Sequence, residues 1–370
     1  MILLLHNRYR LAGGEERAVA DLAWLIREHL GEDAEVLERD SAVLGNRRAA
    51  AGLLGGGLAP EEVAHAVRRT RARVVHAHNV NPSFGWRGLA AAREAGARVV
   101  LHLHNYRLVC AQGLCFTRGE DCTRCHGRHT LPGVRLNCRG GSRAESAVYG
   151  AALSVWQRRL TEQVDAFVVP SEFALGRLRE LGAPLGDRAH VIGSVQRTFA
   201  DSSTAAEGTF ALAAGRLSIE KGFDDAIDAA RAARLPLVIA GDGPHAATLR
   251  ARAAGVDVRF TGALAHDELA ALRRAAAVAV IPSRFAEILP LAALEAMAAG
   301  LPLVASDAGG LAEVVPVEGR FAPRDVTALA QRLRTLWRNG RAGERSLAVA
   351  RERFSAGIVA RGLREVYGEQ

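Results

Sequence analysis

Short apolar runs alternate with stretches of helical periodicity along nearly the whole chain, and this alternation limits the fold more than any other feature. In the first half the runs are Ile2–His6, Val74–Ala77, Arg98–His102, Ala166–Val169 and Ala189–Ile192. Helical patterns are predicted between them at Glu15–Leu30, Pro60–Arg71, Trp86–Ala95, Ser142–Gln163 and Glu172–Leu181. Strands that are apolar throughout are buried on both faces, which predicts a parallel sheet clad in helices. Residues 193–208, rich in Ser, Thr and Ala, break the pattern and read as a linker. The alternation then restarts, with strands predicted at Phe210–Ala214, Leu237–Ala240, Val258–Phe260, Val278–Ile281 and Pro302–Ser306. Helices are expected after Lys221, Pro244, Asp267, Leu289, Gly310 and Arg324, and a last amphipathic helix over Leu347–Tyr367. The expected fold is α/β, with two Rossmann-like doubly wound parallel-sheet domains. The first spans 1–195, with a Cys-rich insert at 105–141. The second spans 196–350, and a C-terminal helix at 351–370 packs back on the first. Ligands of such sheets sit at the carboxyl ends of the strands, so the site is expected in the cleft where the two domains face each other.

The chain has 370 residues, too many for one ordinary core. Its net charge of +8 favours anionic partners. The basic residues are scattered over helices, as at Arg68, Arg69, Arg71 and Arg73, and no nucleic-acid recognition module is visible. No nucleic-acid partner is therefore expected. No apolar run approaches the ~20 residues of a membrane span. Ile2–His6 is too short for a signal h-region and carries no basic stretch before it. The expected location is cytoplasmic, with peripheral contact to an anionic inner-membrane face. All five cysteines fall between Cys110 and Cys138. An odd number without an export signal argues against a disulfide framework.

The second half carries the densest chemistry. The strand predicted at Phe210–Ala214 runs into Gly215-Arg216-Leu217-Ser218-Ile219-Glu220-Lys221-Gly222. Where a strand opens onto a helix, unpaired amides and the helix dipole favour an anion. Arg216 and Lys221 add two cations, either as a diphosphate clamp or as a surface salt-bridge pair. Gly241, Gly243 and Ala246 match a dinucleotide fingerprint only weakly, because Pro244 interrupts it. A tight strand-to-helix turn is the better reading, and a dehydrogenase the weakest one. Glu287 follows a buried strand, and Glu295 lies eight residues on, among Leu294, Ala296 and Met297. On one continuous helix the two would be about 80° apart in phase. With Glu287 in the loop, both carboxylates can accept hydroxyl hydrogen bonds from one ligand.

Gly215–Gly222, the Gly241–Pro244 turn, the Glu287/Glu295 pair and the run Ala299–Ser306 together resemble the retaining GT-B glycosyltransferases of family 4, over roughly residues 210–315. The resemblance implies that Arg216 and Lys221 bind a donor diphosphate, Glu295 the ribose and Glu287 the transferred sugar. Family members often carry Gly-Phe-Gly after the first Glu. Here the residues are Ile288, Leu289 and Pro290, and Pro290 has no amide to offer. Backbone contacts from Ile288 and Leu289 to the donor therefore differ from the pattern, which leaves the sugar open.

In the first half, Gly13-Gly14 precedes a helix expected at Glu15, and glycine there lets backbone approach a phosphate. The family resemblance places a Gly-Gly after the first strand opposite the donor diphosphate, which Gly13 and Gly14 match. His102 and His104 share one strand face. The resemblance raises His104 to the active-site histidine that contacts the donor sugar. His76, His78 and Asn79 end the preceding strand and could line the acceptor side.

Cys122-x-x-Cys125 is a short chelating knuckle. Cys110 and Cys138, with Cys115 as the alternate, would complete a structural zinc site that steadies an Arg- and Gly-rich loop. Free thiols are the other reading.

The resemblance implies a hexosyltransferase. It would move a hexose from a nucleoside-diphosphate sugar to a glycan or lipid-linked acceptor with retained configuration, in cell-surface polysaccharide or glycolipid synthesis. No Asp-x-Asp occurs in the chain, so no catalytic cofactor is expected. Arg216, Lys221 and helix amides would neutralise the leaving diphosphate. The alternatives are a sugar-nucleotide epimerase of the same shape and a non-catalytic nucleotide- or glycan-binding protein.

Overall fold

The computed structural model describes residues 1–9, 13–139 and 142–368. The chain divides into two compact units. One comprises Met1–Thr117, Cys122–Val195 and Ala356–Gln370, and the other Arg118–Asp121 and Gln196–Ser355. Each is built on a six-stranded parallel sheet.

The first sheet joins β1 (Ile2–Arg8), β2 (Ala34–Asp40), β3 (Val74–Ala77), β4 (Arg98–His102), β7 (Ala166–Val169) and β8 (Ala189–Val191) in the order β2-β1-β3-β4-β7-β8. This is the flavodoxin-like order, which reverses between β1 and β3. Two two-residue strands, β5 (Phe116–Thr117) and β6 (Glu120–Asp121), lie in the Cys-rich insert. The helices of this unit are α1 (Gly14–Leu25), α2 (Asn46–Gly55), α3 (Pro60–Thr70), α4 (Gly85–Glu94), α5 (Leu131–Arg135), α6 (Arg143–Glu162) and α7 (Glu172–Glu180). Ser142 and Ser171 cap α6 and α7 by accepting from the amides of Glu145 and Ala174.

The second sheet runs β11-β10-β9-β12-β13-β14. Its strands are β9 (Ala211–Ala214), β10 (Leu237–Ala240), β11 (Val258–Gly262), β12 (Val278–Ile281), β13 (Leu303–Ser306) and β14 (Arg320–Phe321). This is the 3-2-1-4-5-6 dinucleotide-fold order, reversing between β9 and β12. Helices α8 (Phe223–Ala233), α9 (Ala246–Arg252), α10 (His266–Ala275), α11 (Leu291–Ala298), α12 (Val326–Leu336) and α13 (Gly340–Phe354) follow. Strand alternation divides the apolar residues between two layers: Leu212 packs with α11 and α13, and Ala211 and Ala213 with α8 and α12. Burial on both faces explains why β9, β10, β12 and β13 read as uninterrupted apolar runs.

Several expectations are corrected. Sequence reasoning missed β2, because it is an edge strand in which Glu35, Glu38 and Arg39 interrupt the apolar pattern. It also missed α2, which is mostly Ala, Gly and Arg. The helix expected after Gly310 is a single 3₁₀ turn, Gly309–Glu313. The C-terminal segment read as one helix is two. It breaks at Ser355, and α14 (Ala356–Tyr367) then sends Val359, Leu363 and Val366 into the core of the first unit beside Ile2, Val74 and Val100.

Candidate active site

Each sheet brings functional side chains together at its reversal point, where two neighbouring strands send their following loops apart and leave a crevice. In the second unit the loops after β9 and β12 meet there. The β9 loop makes a 3₁₀ turn at Ile219–Lys221, and Gly222 (φ 67°) starts α8. The Lys221 Nζ donates to Glu287 Oε2 at 2.7 Å and sits 5.3 Å from the centre of the Phe285 ring. The Ser283 hydroxyl donates to Glu287 Oε1. Glu287 is only 6% exposed, so the ammonium and the hydroxyl together offset the cost of burying its charge.

The Glu287 loop is held on two sides. Arg284 grips both carboxylate oxygens of Asp225, at 2.8 and 2.6 Å, and also pairs with Asp224. On the other side, Gly310 N donates to Glu287 O at 2.8 Å. Gly309 has φ 68°, and a Cβ there would lie 2.2 Å from that same oxygen, so only glycine fits. Gly241, at the end of β10, is equally constrained: at φ 139° its Cβ would lie 1.9 Å from Gly215 O.

Arg216 is half-exposed and pairs with Glu220 at 3.1 Å, while the Ser218 hydroxyl donates to the same Glu220 oxygen. Glu295 projects from α11 and pairs with Arg273 of α10, whose exposure is 4%. Ile288 and Leu289 bury their side chains, Leu289 in the apolar layer beneath the sheet. The first turn of α8 carries Asp224 and Asp225, so its dipole is already occupied by carboxylates rather than open to an anion.

The first unit assembles a different chemistry. His6 of β1, His76 and His78 at the end of β3, and His102 and His104 at the end of β4 gather around its reversal point. The rings of His102 and His104 lie 4.0 Å apart, as strand alternation predicted, and His78 Nδ1 is 2.8 Å from His104 Nε2. The Tyr367 hydroxyl of α14 lies 2.7 Å from His76 Nδ1. Burial, reinforced by the neighbouring His104, pushes His76 down to about 3. Burial likewise lowers His78, His102 and His104, and Glu15 and Glu16 partly oppose it at His104. The imidazoles that burial has shifted are thus neutral at pH 7, each able to donate from one nitrogen and accept at the other. Among the described residues, His76, His78 and His102 are the three ligating side chains whose donor atoms all come within 4.8 Å of one another.

Gly13 and Gly14 stand after β1 as expected, but Gly14 already belongs to α1 and Gly13 is its N-cap. The Gly13 amide donates to Glu16 Oε2 at 2.8 Å, so the amide read as a phosphate donor is occupied by a carboxylate. Burial raises the Glu16 carboxyl, but the His6 ring, 3.8 Å away, and hydrogen bonds from the amides of Gly13, Glu16 and Tyr9 overrule it and bring it to about 2.

All five cysteines line one small cavity of the insert. The Cys115 thiol and the amides of Cys115, Gly113 and Gln112 lower Cys110 to about 6, and burial raises Cys125. No three of these thiols reach the mutual 4.8 Å that the histidines do. The expected Cys110, Cys122, Cys125 and Cys138 set thus shares a cavity without standing at coordinating distance.

Two family profiles fall on the two units. "Glycosyl transferase 4-like domain" matches residues 9–194, and "Glycosyl transferases group 1" matches 209–339. The chain belongs to this glycosyltransferase family. Among its curated relatives, the glycogen synthase of Mycobacterium tuberculosis is 42% identical over 155 residues, 38% of this chain and 37% of that protein. The sulfoquinovosyl transferase of Arabidopsis thaliana is 38% identical over 131 residues, 33% of this chain and 25% of that one. The chain therefore spans about a quarter to little more than a third of the length of the curated relatives it matches. Among solved structures, Anabaena HepE, in complex with UDP and glucose, superposes with a TM-score of 0.67 at 18% identity, over 100% of this chain and 99% of that one. The sucrose-phosphate synthase of Thermosynechococcus elongatus gives 0.69 at 19% identity over 99% and 98%. Both likenesses bear on fold, and they agree with the expected GT-B class.

Within this member of the family, the structure brings Lys221 and Glu287 into direct contact and leaves Arg216 and Glu295 paired elsewhere in the same unit. Sequence reasoning missed Ser283, Arg284, Gly309 and Arg273. Arg273 left a trace: it lies four residues after Leu269, on the apolar face of α10, where a cation needs a buried partner. Tyr367 left none, since only the return of α14 makes it a neighbour of His76.

Proposed function

We propose that this protein is a retaining glycosyltransferase that moves a hexose from a nucleoside-diphosphate sugar to an acceptor hydroxyl without a divalent cation. The observation that carries this reading is the Lys221–Glu287 contact at the reversal point of the second sheet, braced by Ser283 and Arg284. A fixed ammonium suits the charge that grows on a departing diphosphate, and a buried carboxylate suits sugar hydroxyls. Arg216 would supply the second cation, and Glu295, oriented by Arg273, would accept from the ribose. A relative named as a GDP-mannose-dependent mannosyltransferase, and UDP with glucose in the HepE structure, support a nucleotide-sugar donor. In the first unit, neutral His104 would bond the transferred sugar, with Gly13 and Gly14 near the diphosphate once Glu16 yields the Gly13 amide.

The acceptor would attack on the face that the diphosphate leaves, and the departing phosphate oxygen would take its proton. The +8 charge is consistent with surface-polysaccharide or glycolipid synthesis at an anionic membrane face. Among the described residues no helix is long and apolar enough to cross a membrane.

Thermal shifts with UDP-, GDP- and ADP-sugars test the donor, because a ligand at 100 times its Kd stabilises by about 2.7 kcal/mol. Turnover that chelators abolish while the fold persists, or a trapped glycosyl-enzyme, would overturn the mechanism. We also propose that Cys110, Cys122, Cys125 and Cys138 close on one structural zinc. Cys110 is lowered toward its thiolate, the form a metal binds. One zinc per purified chain, lost in Cys125→Ala, is the expected result.

A further inference from the structure

A second cavity in the first unit includes the donor-side His104 but extends well past it. It encloses about 840 Å³ not filled by atoms, part of it open to solvent. Its lining divides by element. Helices α2, α4 and α6 contribute Leu53, Trp86, Ala152, Leu153, Trp156 and Leu160. The loops after β3 and β4 contribute His78, Asn79, His104, Asn105 and Arg107. Trp86 and Trp156 stand 5.7 Å apart, and the Trp156 indole donates to Leu54 O at 3.0 Å, which ties α6 to α2. The hydrophobic wall is thus a braced surface rather than a packing gap.

Arg107 is the unusual member of the polar wall. Its guanidinium lies 4.7 Å from the centre of the Tyr9 ring and donates to Asn79 Oδ1 at 3.3 Å. Its Nε is buried without a hydrogen-bond partner, and among the described residues it has no ion pair. A guanidinium whose Nε is buried without a hydrogen-bond partner has donor capacity left for an anion. Glu15 also lines the cavity and its charge acts on Arg107; its Oε2 accepts from the Tyr9 hydroxyl at 2.7 Å, and no hydrogen bond joins it to the guanidinium.

We infer that this cavity receives the acceptor as a phosphate-headed amphiphile, with the phosphate at Arg107 and the hydrocarbon tail along α2, α4 and α6. The inference rests on the transferase reading and specifies its acceptor class. A polyprenyl carrier and a glycerolipid share this chemistry. A bare glycan would leave the tryptophan wall unused, and inorganic phosphate would leave the whole apolar side empty.

The full-length protein carries its own reporter. Trp86 and Trp156 line the cavity, whereas Trp24 and Trp337 pack in other clusters. A bromine-labelled dodecyl phosphate should quench tryptophan fluorescence saturably. It should bind about tenfold tighter than the matching neutral dodecyl glycoside, as a charge-assisted contact would give. Arg107→Met should erase that preference while leaving the quenching itself. Ala152→Phe should block the tail, and Leu153→Phe serves the same purpose if that variant fails to fold. Farnesyl phosphate and a lysophosphatidic acid, used as competitors, identify the carrier, and tighter competition by either one supports the inference. It is overturned if dodecyl phosphate does not quench, if phosphate and glycoside heads bind alike, or if inorganic phosphate competes as well as the amphiphile. Thermal shifts with nucleotide sugars on the same samples keep the two readings apart: an intact donor response without quenching sinks this inference alone, and the reverse sinks the donor assignment alone.

Discussion

The two sheets solve one topological problem with opposite electrostatics. At its reversal point, the first unit gathers buried imidazoles, which burial leaves neutral where it shifts them. At the equivalent place, the second gathers ion pairs, Lys221 with Glu287 and Arg284 with Asp225, and a further pair, Arg273 with Glu295, lies elsewhere in that unit. Paired charges hold their positions before a ligand arrives and can stabilise charge that develops during reaction. Neutral imidazoles can donate and accept without a net charge, which suits a region that orients hydroxyls. The contrast shows that strand order selects where a site forms, whereas the side chains at the strand ends select its chemistry.

Breaking the charged side should have the largest effect. Arg273→Met leaves the Glu295 carboxylate without its buried partner and should destabilise the second unit by about 3–5 kcal/mol. Denaturant unfolding would measure this, and restoring neutrality with the additional change Glu295→Gln should recover part of the loss. Next comes Lys221→Ala, which should lower kcat on the order of 10²–10³-fold by removing a charge-stabilising donor. Steady-state kinetics on the donor that the thermal-shift panel selects would show it, and an unchanged kcat would remove Lys221 from the chemistry.

Acid separates the two units next. The folded-state value of His76, about 3, lies below its usual 6.5, so the unfolded chain binds more protons between those pH values. Stability held by the neutral imidazole is therefore complete above pH 6.5 and declines as pH falls toward 3. The first unit should loosen before the second on acidification, as read by hydrogen exchange of β3 and β4 against β9 and β12. The smallest expected effect is Tyr367→Phe, which removes one buried hydrogen bond to His76 and should cost about 1 kcal/mol.

The buried strands were readable because burial on both faces writes an uninterrupted apolar run, as in Leu237–Ala240 and Ala166–Val169. Edge strand β2 was not, because solvent lets Glu35 and Glu38 enter it. Lys221, Glu287 and His104 were legible from strand-end position and motif, but their partners were not. The Lys221–Glu287 contact joins residues 66 apart in sequence, and no local pattern encodes that distance. The same holds for Arg107: it reads as an ordinary loop arginine until folding sets it against Tyr9 and Asn79.

The return of the chain to its first unit at Ala356 has a genetic consequence. Most of the second unit, 196–355, is encoded between two stretches that encode the first. A recombination event that exchanges this segment cleanly needs two crossovers. A single crossover would join β3 of one parent to the α14 of another, and the His76–Tyr367 partnership would have to survive between strangers.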